Sequence, residues 1–342
     1  MQNGIVVVGS LFLLAGSYAL VGQVAAQDTP RIPERPASEW IRELESGQIE
    51  RVEMATRALS GLGAQATPII PDLIRILETD NPDNRRHVLA IIQALGPIAK
   101  DATPAIRKKL FHEDFHTQYW ACRAIGAIGP EAIAAAPDLG KLLSTRYAAS
   151  VRRNAALALG LLGPGIGRAG VEQLTDMLRD RNHPVRIDAA LSLGALGDAA
   201  KPAIPELRTA LLDKRRDMRV PTCVALWKIT QQADDLLPVL MEEVREGSLP
   251  WEAAQAFGEF GAAAKPVVPQ LIEGLGSATN TEQRATYLDA LGAIGPAARS
   301  AEGAIRKYVD DEDEEVSQAA REALEKIGAP APPAKQKDVD AQ

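Results

Sequence analysis

The sequence predicts an all-α fold, a right-handed α-solenoid (α-α superhelix) of about nine helix pairs. A short phrase recurs along the chain: Leu or Ile, then Gly, then Pro or Ala, and later a Pro that begins an apolar segment. Composition agrees, because 46% of the 342 residues are hydrophobic but only 4% are aromatic. A core rich in Ala and Leu suits closely packed helices better than sheets.

The recurring phrase places one anchor residue at the end of each repeat. Successive anchors lie 31 to 34 residues apart, at Gly63, Gly96, Gly129, Gly163, Gly197, Thr230, Gly261, Gly295 and Gly328. A period of this length is typical of a stacked repeat architecture. The residue before each anchor is apolar, as is the residue four before it, and the residue five before it is usually Ala. These positions give each second helix an apolar stripe with small residues that let a neighbouring helix approach.

The anchor and a later proline predict where the helices end and begin. Gly adopts the left-handed C-terminal cap without steric cost, so it is expected to end the second helix of a repeat. Six repeats have Pro eight residues after the anchor, at Pro71, Pro104, Pro137, Pro205, Pro238 and Pro269. Because Pro is tolerated in the first turn of a helix, each is expected to begin the next first helix. Val171 and Gly303 are the exceptions.

Segments such as residues 180–197 (DRNHPVRIDAALSLGALG) resemble the HEAT-repeat family, most closely its phycobilisome-lyase-like branch. The resemblance implies a helical solenoid, here an exported HEAT-repeat domain-containing protein. In such repeats a turn Asp and an Arg on the second helix commonly pair to form a ladder. The acidic position is held by Asp180, Asp213 and Asp311, and the basic position by Arg85, Arg152, Arg186, Arg219 and Arg284. The ladder is incomplete in this sequence.

The two ends of the chain differ from the array. Residues 1–26 contain no Lys, Arg, Asp or Glu and end in the small residues Val24-Ala25-Ala26. They predict a signal peptide, with a membrane anchor over residues 4–24 as the alternative. Both interpretations place the remainder outside the cytoplasm, in the periplasm or secreted. Residues 27–37 predict a Pro-rich linker, 38–328 the solenoid and 329–342 a disordered Pro/Ala tail.

Two repeats depart from the pattern and are expected to bend the array. The sixth repeat ends at Thr230 and is followed by the polar residues 231–235 (QQADD). The spacing from this anchor to the next is the shortest of the array. The fourth replaces its Pro with a Gly-rich loop, residues 165–170. We interpret both as ordinary loop variation, with hinges or partner-contact loops as alternatives.

Residues 112–116 (HEDFH) match the H-E-x-x-H pattern of zinc proteases. That chemistry requires both histidines on one face of a helix. The repeat register places His112, Glu113 and His116 across a turn instead, and no third ligand follows at the expected spacing. We therefore expect no catalytic residue, metal site or cofactor. Cys122 and Cys223 share one repeat position three repeats apart, which is too far for a disulfide and predicts buried packing residues.

Two other function classes remain as alternatives. One is a metal-dependent, lyase- or hydroxylase-type HEAT-like enzyme. A di-iron hydroxylase of this kind uses several His-Glu pairs, whereas this chain has one His-Glu dipeptide and four histidines. The other is a nucleic-acid-binding HEAT-like protein, which the net charge of −7 opposes.

Arginines and tryptophans on the second helices predict a binding surface. The candidate partner-binding residues are Arg85, Arg86, Trp120, Arg123, Arg152, Arg153, Arg186, Arg219 and Trp251. The alternative is that the arginines form a solvated edge, partly paired in the ladder. The predicted function is a non-enzymatic protein–protein interaction scaffold whose concave face binds protein partners, acidic ones in particular. We expect no nucleic-acid partner. Contact with a membrane is expected only if the N-terminal segment is not cleaved.

Overall fold

The computed structural model describes residues 35–79, 81–212, 216–246 and 250–330. Every regular element in these ranges is an α-helix or a 3-10 helix, as predicted for an all-α fold. The predicted signal peptide and most of the two flanking segments lie outside the described residues. The chain divides into two compact units, unit 1 at Met1–Leu207 and unit 2 at Arg208–Gln342. No helix of the described residues is long and apolar enough to cross a membrane.

Within the described residues, eighteen α-helices alternate as the first and second helices of nine pairs. The first five pairs are α1 (Ala37–Leu44), α2 (Ile49–Ser60), α3 (Ile70–Leu77), α4 (Pro82–Leu95), α5 (Thr103–Lys109), α6 (Phe115–Ile128), α7 (Ala136–Leu142), α8 (Ala149–Leu162), α9 (Gly167–Met177) and α10 (His183–Ala195). The other four are α11 (Ile204–Leu211), α12 (Arg219–Thr230), α13 (Leu237–Glu246), α14 (Pro250–Phe260), α15 (Val268–Ser277), α16 (Thr281–Ile294), α17 (Glu302–Ile305) and α18 (Glu314–Lys326). Within each unit, successive second helices pack on one another, from α2 to α10 in unit 1 and from α12 to α18 in unit 2, which confirms the α-solenoid.

Six repeats share one kind of connector, a 3-10 segment that starts at the anchor glycine. These segments are Gly63–Ile69, Gly96–Ala102, Gly129–Ala135, Gly197–Ala203, Gly261–Val267 and Gly295–Ala301. The following first helix has Pro in its first turn in α3, α5, α7 and α15, as expected. Since Pro lacks a backbone N–H, it costs no hydrogen bond at this position.

The anchor glycines have a different backbone conformation from the predicted left-handed cap. Their φ angles are positive, but ψ is −131° at Gly96, −144° at Gly129 and −168° at Gly163. This region is open essentially to Gly alone, because a Cβ would clash with the backbone. The cap prediction is wrong in this respect, because the chain turns sharply from the second helix directly into a 3-10 segment.

The two unusual repeats also differ from expectation. Thr230 is the last residue of α12, and Gln231 after it has the left-handed conformation, with φ 55° and ψ 25°. Residues 231–236 then connect α12 to α13 without the seven-residue 3-10 segment. The Gly-rich loop of the fourth repeat is largely helix, because α9 begins at Gly167 after a short 3-10 turn at Pro164–Ile166. Without a proline to fix its start, α9 extends towards its N-terminus.

Small residues let successive second helices approach closely. A Cβ placed on Gly126 would lie 3.2 Å from the Cα of Ala158, and one on Gly160 would lie 2.9 Å from the Cα of Ser192. In unit 2, a Cβ on Gly292 would lie 3.1 Å from the Cα of Ala323. First helices of successive repeats contact each other much less. The apolar core of each unit therefore lies between its stacked second helices and the first helices that cover them.

Candidate functional site

Most of the predicted basic ridge is buried rather than exposed. Arg152 is 1% exposed, and Arg85 and Arg186 are 5% exposed each. The Nε and Nη2 groups of Arg152 donate to the two carboxylate oxygens of Asp180, at 2.8 Å each. Its Nη1 donates to the backbone carbonyl of Tyr147 at 2.7 Å. The prediction that Arg152 binds a partner is wrong, because the internal carboxylate and carbonyl occupy its donors.

In the second, third and fifth repeats, the residue eleven positions before the anchor also donates to a backbone carbonyl of the turn. Arg85 Nη1 donates to the carbonyl of Thr79 at 3.3 Å, and Arg186 Nη1 donates to that of Asp180 at 3.1 Å. In the third repeat Gln118 occupies this position, and its Nε2 donates to the carbonyl of His112 at 2.7 Å. A neutral donor is therefore sufficient, so the position stabilises the turn between the two helices. We call Arg85, Gln118, Arg152 and Arg186 the turn-locking residues; none of the three arginines is available to a partner.

The predicted Asp–Arg ladder exists in part and links one repeat to the next. In unit 1 it is the Arg152–Asp180 pair. In unit 2 Arg284 Nη1 lies 3.8 Å from Asp311, and Arg219 Nη1 lies 3.0 Å from Glu243. Burial alone would raise the pKa of Asp180, but hydrogen bonds from Arg152 and from the N–H of Asn182 outweigh it and lower this pKa. Asp213 lies outside the described residues.

On the second helix α6 of unit 1, aromatic and basic side chains reach solvent together. They form one stripe at helical spacing, which we call the α6 stripe: Phe115, His116, Tyr119, Trp120 and Arg123. Phe115 is 48% exposed, and Trp120 and Arg123 are half-buried. Residues three and four apart are neighbours on a helix surface, so the five side chains form a continuous face.

The rings and the guanidinium of the α6 stripe contact one another directly. The rings of Tyr119 and Trp120 meet edge to face, with centroids 5.4 Å apart. The Arg123 guanidinium carbon lies 5.6 Å from each of the two ring centroids. Its Nη1 donates to the Tyr119 hydroxyl at 3.1 Å, and its Nε donates to Gln93 Oε1 at 2.9 Å. Gln93 lies on α4, so Arg123 is held between two repeats.

The neighbouring helices α4 and α8 flank the stripe with different charges. On α4 Arg86 is exposed, and its Nη2 lies 3.3 Å from Nε2 of His87. Burial and the nearby Arg86 charge lower the pKa of His87. On α8 Arg153 Nε donates to the buried Asp188 carboxylate at 2.5 Å. Arg153 is thus part of an internal ion pair, whereas Arg86 remains at the surface.

Unit 2 contains the remaining predicted residues. Trp251, at the start of α14, is 39% exposed and lies beside Asp289 on α16. Burial raises the pKa of Asp289. Arg219 bonds to Glu242 and Glu243, so it is a structural residue here. Trp227 stacks on Phe260 with centroids 4.9 Å apart.

The H-E-x-x-H match does not lie on one helix. Asp114 caps the N-terminus of α6 by accepting from the N–H groups of His116 and Thr117, so His112 lies in the turn before the helix. His112 Nδ1 accepts from the Asp114 N–H at 3.0 Å. Among the described residues no group of three His, Cys, Asp or Glu side chains is placed to hold a metal ion. Both cysteines are buried, and burial raises the pKa of each thiol.

The sequence-based prediction missed Phe115, His116 and Tyr119. Repetition of an arginine along the chain identifies structural positions as readily as binding ones. A better signal was available, because five of the aromatic residues of this aromatic-poor chain lie between residues 111 and 147. Three of those five occupy one face of α6.

The stacked helix pairs and an open face on the second helices define an α-solenoid repeat protein. Residues 70–159, 136–227 and 268–337 match the family model for HEAT repeats. The chain therefore belongs to the HEAT-repeat family. No curated protein matches it.

Several solved structures are similar to the chain. The karyopherin Kap121p bound to the extreme C-terminus of the protein phosphatase Cdc14p is 13% identical, with a TM-score of 0.54; the match covers 94% of this chain and 41% of that one. Kap121p bound to the SUMO protease Ulp1p is 14% identical with a TM-score of 0.55, covering 94% and 40%. An engineered protein is 21% identical with a TM-score of 0.46, covering 87% and 90%. The karyopherin matches show the solenoid fold.

Proposed function

We propose that this protein is a non-enzymatic interaction scaffold outside the cytoplasm, which binds protein partners through the second-helix face of unit 1. The observation that supports this most is the α6 stripe, an exposed aromatic and basic face within a chain poor in aromatic residues. Trp, Tyr and Arg are the residues most enriched at energetically important interface positions. An array in which each repeat contacts only its neighbours also presents a long open surface.

The structural neighbours support a binding role. Kap121p holds the extreme C-terminus of Cdc14p in one structure and is bound to Ulp1p in another. A solenoid of similar fold is therefore able to hold another protein. Membership in the phycobilisome-lyase-like branch remains a prediction from the resemblance.

The location outside the cytoplasm is proposed from residues 1–26, whose apolar, uncharged composition favours export. Cell fractionation followed by N-terminal sequencing tests it. We expect the protein in the extracytoplasmic fraction with Gln27 as its first residue. A cytoplasmic protein beginning at Met1 would contradict the proposal, and a membrane-bound one would favour the anchor.

Affinity capture from the extracytoplasmic fraction tests the binding face. The paired substitution Phe115→Ala and Trp120→Ala is expected to reduce partner capture at least about tenfold, because a buried aromatic anchor often contributes 2 kcal/mol or more, as a rough figure. The matched control is Leu212→Ala, which removes an exposed apolar side chain, 83% exposed, directly after the first helix α11 and in unit 2. Equal capture by the wild type and the paired variant would refute the use of this face.

A nucleic acid is the other macromolecule that a basic and aromatic face can hold. The same variants are therefore compared for binding to single-stranded DNA at about 0.15 M salt, near physiological ionic strength. We expect no binding that depends on Trp120. Such binding, in the absence of a captured protein, would replace the scaffold proposal.

A further inference from the structure

We infer that the α6 stripe recognises an acidic residue next to an apolar residue in a segment of the partner protein. The carboxylate would accept from Arg123, with Arg86 on the neighbouring helix α4, and the apolar side chain would pack on Trp120. This inference rests on the proposed function, because it names the chemistry of the partner at the same face.

The charge of Arg123 is not compensated by a carboxylate among the described residues. Its two hydrogen-bond acceptors, Gln93 Oε1 and the Tyr119 hydroxyl, are both neutral. In the part of the chain that the structure describes, no carboxylate lies within ion-pair distance of Arg123 or Arg86. Arg153 on the next helix is different, because the Asp188 carboxylate neutralises it. No ion pair among the described residues therefore neutralises these two guanidinium groups on α4 and α6, and their charge favours an anion.

The Arg123 guanidinium is already ordered by its contacts within the protein. The bonds from Nε and Nη1 and the two ring contacts at 5.6 Å fix its plane. An Arg side chain normally loses substantial rotamer freedom when it binds. Here that freedom is lost before the partner arrives, so a hydrogen bond to the guanidinium forms with little further entropy cost.

An apolar surface adjoins the charge of Arg123. Trp120 lies three residues before Arg123 on α6, and the exposed Phe115 lies one turn before Tyr119. A small free anion would use the guanidinium alone. A peptide that carries a carboxylate next to an apolar side chain would use both features, so a protein segment fits this face best.

Unit 2 provides an internal comparison. Trp251 also reaches solvent, at 39% exposed, but its polar neighbour is the carboxyl group of Asp289. Two carboxylates at close range repel each other, so this second tryptophan is a poor site for an acidic residue. Trp251→Ala is therefore a matched control for Trp120→Ala.

Selection of random peptides displayed on phage, with the purified full chain as the target, tests the inference. The peptides enriched by the wild type are expected to contain Asp or Glu next to Trp, Phe, Leu or Ile. One enriched peptide is then synthesised in its acidic form and with Asn or Gln in place of the acid. We expect the neutral form to bind at least about tenfold more weakly, since a hydrogen bond to a charged group contributes roughly 1.5 kcal/mol or more.

The variants separate charge from geometry. Arg123→Gln is expected to lose the preference for the acidic peptide, and Arg123→Lys is expected to keep part of it, because Lys retains the charge without the planar fork. Arg168→Gln removes an exposed arginine from the first helix α9 and should change nothing. Affinity for the acidic peptide should also fall as salt rises from about 0.05 to 0.5 M.

The possible results are distinguishable. Enriched peptides that are neutral or basic, yet need Trp120, would overturn this inference and leave the proposed function intact. Peptides whose binding is unaffected by Trp120→Ala, or no enrichment at all, would overturn the proposed function and this inference with it. Inorganic phosphate that competes as well as the acidic peptide, at equal concentration, would show a simple anion site and also overturn the inference.

Discussion

Arg152 shows how a repeated charged position supports structure rather than recognition. Its guanidinium is completely buried and donates to one carboxylate and one backbone carbonyl. The carboxylate belongs to the following repeat and the carbonyl to the preceding turn. A single side chain thus joins three segments of the chain. Its substitution is therefore expected to affect stability rather than a binding surface.

Arg152→Ala is expected to lower the free energy of unfolding by about 3–5 kcal/mol, because it leaves the buried Asp180 carboxylate without its partner. Urea unfolding followed by circular dichroism measures this. Arg86→Ala, at an exposed position on α4, is the control and should change stability by less than about 0.5 kcal/mol. Similar values for the two variants would show that the buried pair contributes little.

Glu252 on α14 makes stability depend on pH. It is 7% exposed, and burial raises its pKa above the usual value. An acid whose pKa is higher in the folded state than in the unfolded state, about 4.3, makes folding less favourable as pH rises through that window. Glu252→Gln should therefore stabilise the protein at about pH 7 and have little effect at about pH 4.

Urea unfolding of the wild type and Glu252→Gln at the two pH values checks this expectation. Glu273→Gln, at an exposed position on α15, is the matched control and should be close to neutral at both. A destabilising effect of Glu252→Gln at neutral pH would mean that the buried carboxylate is stabilised as an anion.

At the scale of the element, the residue three before the anchor determines how closely one second helix packs against the next. Position three before the anchor is Gly in repeats such as those of α6, α8 and α16, and it meets the Cα of a small residue on the next second helix. In α12 the same position is Trp227, whose ring stacks on Phe260 and whose Nε1 donates to the carbonyl of Glu259 at 2.8 Å. Small residues at this position thus allow close contact, whereas a large ring occupies the space between helices.

Gly160→Ala tests this packing. The added Cβ would lie 2.8 Å from Ser192 Cβ and 2.9 Å from its Cα, so a helix backbone must move. We expect a loss of about 1–3 kcal/mol in the free energy of unfolding, typical of overpacking. Gly276→Ala on α15, where a Cβ meets nothing within 4 Å, should instead be neutral or stabilising by up to about 1 kcal/mol. A stabilising effect at both positions would contradict the packing argument.

At the scale of the whole molecule, each repeat contacts mainly the repeats beside it, so stability is a sum of local terms. The Gly160→Ala variant is therefore expected to speed amide hydrogen exchange in α8 and α10 by at least about tenfold. Exchange in α14 to α18 should change by less than about twofold. Equal acceleration throughout would show that the chain unfolds as one cooperative unit.

The array itself was predictable from the sequence because its determinants are local. The period of the anchors, the apolar residues before them and the prolines after them indicate helix pairs without knowledge of any long-range contact. The prediction of a left-handed cap was wrong because the conformation of the anchor glycine depends on more than the local sequence. A glycine in a sequence shows that φ is free to be positive, but ψ depends on the segment that follows, here a 3-10 helix.

Which charged residues face solvent was decided only by the tertiary structure. The sequence places Arg86 and Arg152 among the same repeated arginines, yet one is exposed and the other is buried against Asp180 of the next repeat. Burial depends on the neighbouring repeat, and a one-residue shift along a helix turns a side chain by about 100 degrees, from surface to core. The sequence by itself therefore determined the repeated helix pairs, and only their packing separated the turn-locking residues from the α6 stripe.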